Sequence, residues 1–117
     1  MIEVERVDFA SVATRDPERA RAFYVGTLGL RLNPQSGEFE SGNLTLCPWE
    51  PEADGEPFEP NRAGLALRVP DVEEARRVLE GAGVEFLGET VDTGVCHMAF
   101  FEDPDGNVLI LHRRYAP

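Results

Sequence analysis

The chain carries the same order of apolar and polar positions twice. The first copy starts at Phe9 and reads FASVATRDPERARAFYVGTLGLRL, and the second starts at Gly64 and reads GLALRVPDVEEARRVLEGAGVEFL. Further along, SGNLTLC in the first half resembles DGNVLIL in the second, with the Gly-Asn pair at 42–43 matching the pair at 106–107. A pattern repeated at this length predicts two copies of one supersecondary unit.

Each copy predicts one helix and several short strands. An alternating apolar segment opens each copy and is typical of a strand, Val7–Ala13 in the first and Leu65–Val69 in the second. Asp16 and Asp71 follow as expected helix N-caps, each before a short amphipathic segment. Three more short strands complete each copy, so each half is predicted to be a β-α-β-β-β module.

The predicted fold class is α+β, with one domain over residues 1–117. Module one covers about residues 5–48 and module two about residues 63–114. The segment at about 49–62 is rich in Pro, Glu and Gly, which predicts a linker, with Trp49 and Phe58 as apolar anchors. One module buries too little apolar surface to be stable alone. We therefore expect the two modules to form a curved eight-stranded sheet around a cleft, with the helices on the outside.

The net charge narrows the set of partners. Acidic residues number 22 and basic residues 11, which gives a formal net charge of −11. Such a chain repels nucleic-acid phosphates and anionic lipid, so we expect neither nucleic acid nor membrane as a partner. All the basic residues are Arg, and the lack of Lys excludes Schiff-base chemistry and a P-loop.

The two cysteines, Cys47 and Cys96, are expected to be free thiols of a cytoplasmic protein, because nothing in the sequence resembles a secreted disulfide scaffold. There is no run of about 18 apolar residues that would predict a membrane span. The charged start MIEVERVDF is not typical of a signal peptide.

The doubled module, with DPERARAFYVGTLGL early and FFEDPDGNVLIL late, resembles the vicinal oxygen chelate superfamily. That superfamily includes glyoxalase I, extradiol dioxygenases, fosfomycin resistance enzymes and bleomycin-binding resistance proteins. The resemblance covers nearly the whole chain, from Val7 to Leu111. It implies the paired-module fold and a homodimer, but it leaves the activity open, because many functions share one fold.

The resemblance also implies where a metal would bind. Enzymes of the superfamily usually hold one divalent metal with His and Glu ligands from the first and last strands of each half. In this chain the equivalent positions fall on Phe9, Leu46, Gly64 and Ile110, whose side chains cannot coordinate a metal. We therefore expect no cofactor and no divalent metal of the family type. This expectation disfavours glyoxalase, dioxygenase and fosfomycin-transferase chemistry by the family mechanism.

The only two histidines fall on the predicted last hairpin. Pairing Glu102 with Asn107 across the turn places His97 opposite His112, on the same face as Ile110. Their Cβ atoms would then lie about 5 Å apart. Three interpretations stay open: two partly buried residues near the rim of the cleft, a ligand-binding or acid–base pair, or a metal site of a non-family type.

The same alternation predicts the residues that line the cleft. Most of them are apolar or small, while Ser11 and Arg68 could hold an anionic or hydroxylated end of a ligand. For Arg68, an ion pair with Asp71 or Glu73 is the other interpretation. The predicted ligand-binding residues are Phe9, Ser11, Leu46, Trp49, Gly64, Arg68, Ala99 and Ile110, with Ala66 leaving space beside them.

Three functions from different classes remain open. The first is a metal-independent protein that binds a drug-like molecule or metabolite, for which the negative charge would favour a cationic ligand by long-range attraction. The second is an enzyme, an isomerase or lyase, that uses His97 and His112 as acid and base. The third is a non-catalytic regulatory or partner module whose cleft is filled by its own side chains. The missing metal ligands favour the first.

Overall fold

The two halves of the chain fold into separate units, Met1–Glu59 and Pro60–Pro117, in a computed structural model that describes residues 1–117. The first unit contains β1 (Phe9–Ala13), α1 (Pro17–Arg21) followed directly by a π-helical turn (Ala22–Thr27), β2 (Arg31–Leu32), β3 (Phe39–Glu40), β4 (Thr45–Trp49) and a 3-10 turn (Pro51–Asp54). The second contains β5 (Leu65–Arg68), α2 (Val72–Gly81), β6 (Val91–Asp92), β7 (Cys96–Glu102) and β8 (Val108–Arg114). The α+β class and the β-α-β-β-β order of each half are confirmed.

Each unit builds one mixed four-stranded sheet, and the two sheets have the same topology. The strand order is β1-β4-β3-β2 in the first unit and β5-β8-β7-β6 in the second. The first and last strands of each unit run parallel, and all other neighbours are antiparallel. The predicted strands are therefore all present, as two sheets of four.

The helices begin where the sequence predicts. The Asp16 carboxylate accepts a hydrogen bond from the backbone N–H of Arg19 at 3.2 Å, and the Asp71 carboxylate accepts one from Glu74 at 3.0 Å. These bonds satisfy N–H groups that have no partner inside the first helical turn. Neither helix is long and apolar enough to cross a membrane.

One face of each sheet is buried under the helical segment of its own unit. In the first unit Val12, Phe39 and Leu46 are at most 2% exposed, and the Tyr24 ring of the π-helical turn stacks on Phe39 with centroids 5.2 Å apart. In the second unit the buried residues of this face are Ala99, Phe101, Leu109 and Leu111. Burial of these side chains is the main favourable contribution to folding. The opposite face of each sheet is called its open face below.

A buried carboxylate–amide pair closes the β7–β8 hairpin. Asp103 is 5% exposed and Asn107 is 1% exposed. The Asn107 side-chain amide donates to Asp103 Oδ2 at 2.8 Å, and its backbone N–H donates to Asp103 Oδ1 at 2.9 Å. The Asp103 N–H in turn donates to the Asn107 carbonyl at 2.9 Å. The loop is thus 104–106, and Gly106 at its third position has the positive φ, +91°, that this loop type requires.

The length of this loop sets the register of the hairpin. Glu102 lies opposite Val108, whereas the sequence-based pairing placed it opposite Asn107. The predicted register is wrong by one residue, because Asn107 belongs to the hydrogen bonds of the turn. The equivalent turn of the first unit is one residue shorter, since Ser41 N–H donates to the Leu44 carbonyl at 3.1 Å and only residues 42–43 lie between them. The two matched Gly-Asn pairs therefore do not occupy equivalent positions.

Trp49 belongs to β4 and not to the predicted linker, and both Trp49 and Phe58 make contacts that connect the segment after β4 to the first unit. The Trp49 indole N–H donates to Asp54 Oδ2 at 2.8 Å. The Arg15 guanidinium lies 4.3 Å from the centre of the Phe58 ring and forms an ion pair with Glu52 at 3.2 Å. Cation–π and indole contacts of this kind order an irregular segment that has no sheet partner.

Replacing Asp103 by Ala should destabilise the protein markedly. The Asn107 amide and backbone N–H would lose their acceptor in a buried place, which costs about 2–4 kcal/mol of unfolding free energy. Urea unfolding followed by circular dichroism measures the loss. Glu56→Ala removes an exposed carboxylate and should change the unfolding free energy by less than about 0.5 kcal/mol. Equal unfolding midpoints for the two variants would contradict the structural role of the buried pair.

Candidate functional site

The open face of the first sheet carries exposed aromatic side chains. Phe9 is 56% exposed and Trp49 is 40% exposed. Phe9 lies opposite Thr45, and Ser11, the next residue of β1 on this face, lies opposite Cys47. The predicted residues Phe9, Ser11 and Trp49 thus share one face of one sheet.

Leu46 lies on the other face of this sheet, contrary to the prediction. It is opposite Ala10 on β1 and opposite Phe39 on β3, and it is 2% exposed beneath the helical segment. The prediction transferred the position of Ile110 to the first half through the matched Gly-Asn pairs. Because the two turns differ by one residue, that transfer is off by one, and a shift of one residue moves a side chain to the opposite face of a strand.

Cys47 occupies the position that corresponds to Ile110. Cys47 lies opposite Ser11, just as Ile110 lies opposite Ala66, the matching residue of the second copy. Burial raises the pKa of the Cys47 thiol, and the nearby Glu38 carboxylate raises it further. A thiol with a raised pKa stays protonated at neutral pH, whereas the thiolate is the form that binds metals and attacks electrophiles.

The open face of the second sheet combines small, apolar and cationic side chains. Ala66 lies opposite Ile110, and Arg68 lies opposite His112. At the start of β5, a Cβ on Gly64 would come within 3.0 Å of Ile110 Cδ1, and the φ of Gly64 is +96°. Gly64, Arg68 and Ile110 are therefore grouped as predicted. Further residues on this face are Cys96, Met98, Phe100 and Glu102 of β7 and Val108 and Arg114 of β8.

The observed register moves Ala99 and His97 to the helix-covered face. Ala99 is completely buried there, and His97 lies opposite Arg113. His112 instead lies opposite Met98 on the open face. The two histidines therefore lie on opposite faces of one sheet. The predicted cross-strand pair of histidines is wrong, because the one-residue change of register that moves Ala99 to the other face also moves His97.

His97 has an acidic partner of its own at the end of the helix-covered face. Its Nε2 lies 3.3 Å from Asp92 Oδ2, and the Tyr115 ring stacks on the imidazole with centroids 4.7 Å apart. The Tyr115 hydroxyl donates to Asp92 Oδ1 at 2.7 Å. Hydrogen bonds from the Gly94 N–H and from Tyr115, in that order, lower the pKa of Asp92, and His97 adds to the effect. This cluster ties the C-terminal residues to the turn between β6 and β7.

Arg68 has no acidic partner in its unit. The Asp71 carboxylate caps α2, and neither Asp71 nor Glu73 forms an ion pair with Arg68. Glu102, the acid on the same open face, forms an ion pair with Arg62 at 2.8 Å. The interpretation that Arg68 pairs with Asp71 or Glu73 is therefore wrong, and its guanidinium is free to bind another group.

Comparison with known proteins assigns the chain to a family. Residues 6–111 match the family model of the Glyoxalase/Bleomycin resistance protein/Dioxygenase superfamily. The chain belongs to this superfamily. The resemblance to the vicinal oxygen chelate proteins is thereby confirmed over nearly the whole chain. No curated protein sequence matches the chain.

Solved structures of the superfamily share the fold. A glyoxalase family protein from Bacillus anthracis has a TM-score of 0.81 and 24% identity, over 98% of this chain and 99% of that one. TnmS3, an antibiotic binding protein from Streptomyces sp. CB03234, has a TM-score of 0.78 and 28% identity, over 98% of this chain and 100% of that one. Lactoylglutathione lyase from Agrobacterium tumefaciens has a TM-score of 0.74 and 18% identity, over 94% of each chain.

In this chain, the positions equivalent to the metal ligands of the superfamily's enzymes carry few side chains that could bind a metal. With the observed register they fall on Phe9, Cys47, Gly64 and Ile110, so a thiol of raised pKa is the single candidate ligand. These residue types do not fit the His and Glu ligands that the superfamily's enzymes use. Neither unit gathers three His, Cys, Asp or Glu side chains into a group that could hold a metal ion. That the protein works without a metal stays a prediction.

The sequence reasoning missed several open-face residues, among them Cys47, Met98, Phe100 and Arg114. They lie on strands whose register depends on a turn. A signal for the longer turn was present in the spacing of Asp103 and Asn107, because an Asp side chain readily accepts hydrogen bonds from backbone N–H groups shortly after it. Reading Asp103 as a turn acceptor would have lengthened the turn and placed Met98 and Phe100 correctly.

Substitution of Glu38 should make Cys47 more reactive. In a Cys96→Ala background, Glu38→Gln removes a negative charge that raises the Cys47 pKa, so more thiolate is present at a given pH. We expect alkylation by iodoacetamide at pH 8 to become about two- to fivefold faster. Glu56→Gln, in the exposed segment after β4, is the control and should leave the rate unchanged. Equal rates in both variants would remove Glu38 as a cause of the raised pKa.

Substitution of Tyr115 should raise the pKa of Asp92. Tyr115→Phe removes one hydrogen bond to the carboxylate and leaves the Gly94 N–H in place, so the pKa rises while staying below its ordinary value. Because the folded pKa is lowered, the stabilisation is present at neutral pH and is lost only as the pH falls through that lowered value. A carbon-detected NMR titration of the Asp92 carboxyl measures the pKa. Tyr24→Phe in the first unit should not change it, and an unchanged pKa in Tyr115→Phe would contradict the assigned cause.

Proposed function

We propose that the protein binds a small molecule with a flat, apolar surface and does so without a metal. The observation that carries the proposal is apolar surface left uncovered on the open faces. Phe9 and Trp49 are exposed on the first, while Ala66, Ile110 and Met98 are exposed or partly exposed on the second. On the second face Ala66, Ile110 and Met98 lie on three neighbouring strands, and adjoining apolar side chains left exposed on a folded domain mark an interaction site.

A binding protein with the same fold supports the proposal. TnmS3 is described as an antibiotic binding protein and is 28% identical to this chain over nearly the full length of both. Sequestering a ligand needs apolar contact area and a few well-placed polar groups, but no nucleophile and no metal. The open faces supply the apolar contact area, and Arg68, His112 and Ser11 supply polar groups.

The residue types at the family's ligand positions support metal independence. Phe9, Gly64 and Ile110 offer no side-chain donor, and the Cys47 thiol carries its proton at neutral pH. A single protonated thiol cannot compete for a divalent ion with the imidazole and carboxylate sets of the enzymes. The chemistry that depends on a chelated metal is accordingly not proposed for this protein.

The enzyme alternative loses its geometric basis. His97 and His112 project from opposite faces of the second sheet, so one substrate molecule on that sheet cannot meet both. Acid–base catalysis by this pair would require both imidazoles within hydrogen-bonding reach of the substrate. The regulatory module stays as the alternative that a failed binding experiment would favour, and the homodimer stays a prediction.

Trp49 is the only tryptophan and lies on an open face, so its fluorescence reports on ligands that bind there. Planar apolar compounds should be screened against the full chain in EDTA by Trp49 fluorescence and by calorimetry. We expect saturable binding with a Kd of roughly 1–10 μM. In a second series without EDTA, added zinc, manganese or nickel should leave this Kd unchanged. A screen without saturable binding by either method would refute the proposed function.

A charge placed on the second open face should weaken binding. Ala66→Glu introduces a carboxylate between Gly64 and Arg68, where an apolar ligand would have to desolvate it. We expect the Kd, measured by calorimetry, to rise by at least about tenfold. Ala53→Glu, in the exposed 3-10 turn, makes the same change away from both open faces and should leave the Kd unaltered. An unchanged Kd in Ala66→Glu would exclude the second open face as a binding surface.

A further inference from the structure

We propose that the open face of the second unit recognises the carboxylate of a flat, apolar acid. The inference rests on the proposed function, because it names the chemical class of the ligand that this face binds. Arg68 and His112 hold the carboxylate, and Ala66, Ile110 and Met98 contact the apolar body.

A guanidinium and an imidazole stand side by side at one end of the face, which is called the cationic end because two arginines lie there. Arg68 and His112 are register partners on the parallel strands β5 and β8, and neighbouring strands lie about 4.8 Å apart. Arg114 is the next residue of β8 on the same face, about 6–7 Å farther along the strand. Two guanidinium groups and an imidazole are thus collected within reach of one anionic group.

No acid of the second unit occupies this cationic end. Glu102 lies at the opposite end of the face, where Arg62 binds it at 2.8 Å and also donates to the Gly106 carbonyl at 2.7 Å. Arg68 and His112 have no side-chain hydrogen bond or ion pair. The fork of N–H donors on Arg68 is therefore free to bind both oxygens of a carboxylate, which is the geometry that guanidinium groups favour.

The apolar residues lie one step along the strands from the cationic end. Ala66 precedes Arg68 on the face, and Ile110 precedes His112, each by two residues or about 6–7 Å. Met98 stands opposite His112 and extends the apolar surface across β7. The small side chain of Ala66 leaves room for a ring above β5. This spacing fits a carboxylate joined directly to a two-ring aromatic system.

The net charge of −11 does not oppose this assignment. Charges farther than about 8 Å from the ligand are largely screened at physiological salt, so the groups next to the ligand dominate its recognition. On the open face the charged side chains nearest the ligand are Arg68 and Arg114, while Glu102 lies at the opposite end and is paired with Arg62. The overall charge favours a cation at long range, while the local arrangement selects an anion on contact.

A matched pair of ligands tests the inference on the full chain. 2-Naphthoic acid and 2-naphthamide have the same ring system and nearly the same shape, and only the acid is negatively charged at pH 7.5. By calorimetry in low salt, we expect the acid to bind at least about tenfold more tightly than the amide. Raising the salt concentration should reduce this ratio, because the distinguishing contact is electrostatic.

Substitutions on β5 and β8 test whether Arg68 causes the preference for the acid over the amide. Arg68→Gln should abolish the preference for the acid, so that the acid and the amide bind with Kd values within about twofold of each other. Arg68→Lys should restore part of the preference, because it keeps the charge and loses the two-pronged geometry. Arg113→Gln is the control, since Arg113 neighbours His112 on β8 but lies on the helix-covered face.

The outcomes separate this inference from the proposed function. Equal binding of acid and amide to the wild-type protein overturns the carboxylate assignment and leaves small-molecule binding in place. The carboxylate assignment is also overturned, and small-molecule binding is retained, if neither naphthalene compound binds but uncharged or cationic compounds of the screen do. A preference for the acid that survives Arg68→Gln also overturns it. Failure of the naphthalene pair together with every compound of the screen overturns both proposals.

Discussion

The hydrogen bonds between Asp103 and Asn107 determine which side chains of β7 reach the open face of the second unit. A buried carboxylate must be satisfied by donors, and here the donors are the side-chain amide and backbone N–H of Asn107. That requirement draws Asn107 into the turn and leaves Val108 as the partner of Glu102. Because β8 is already placed by its pairing with β5, every residue of β7 takes its face from this constraint, since side chains alternate with a period of two.

The functional conclusions depend on that register. It separates His97 from His112, which removes the acid–base pair, while the parallel pairing of β5 with β8 places His112 beside Arg68. His97 is committed instead to Asp92 and to the C-terminal tyrosine. A superfamily fold that supports metal enzymes elsewhere thus presents a surface suited to binding, which illustrates that the site and not the fold carries function.

The two units show how a repeat can diverge without losing its architecture. Their sheets have the same order and the same parallel pair, yet the turn that precedes the last strand has two loop residues in one unit and three in the other. The Gly-Asn pairs align in sequence but differ by one position in the hairpins. As a result Cys47, rather than Leu46, stands where Ile110 stands in the second unit. An alignment of the two repeats therefore predicts correctly where the strands lie, but it can assign a side chain to the wrong face of its strand.

The sequence by itself determined the order of elements, the α+β class, the caps at Asp16 and Asp71 and the first-strand residues of both open faces. These features follow from local chemistry: alternation within a strand, and side-chain oxygens that accept from nearby N–H groups. The faces of Leu46, Ala99 and His97 were decided only in the tertiary structure. Each depends on which residue of a neighbouring strand lies opposite, and that pairing changes with a single residue in the length of the connecting turn, which is fixed only when the strands pair and the core face is buried.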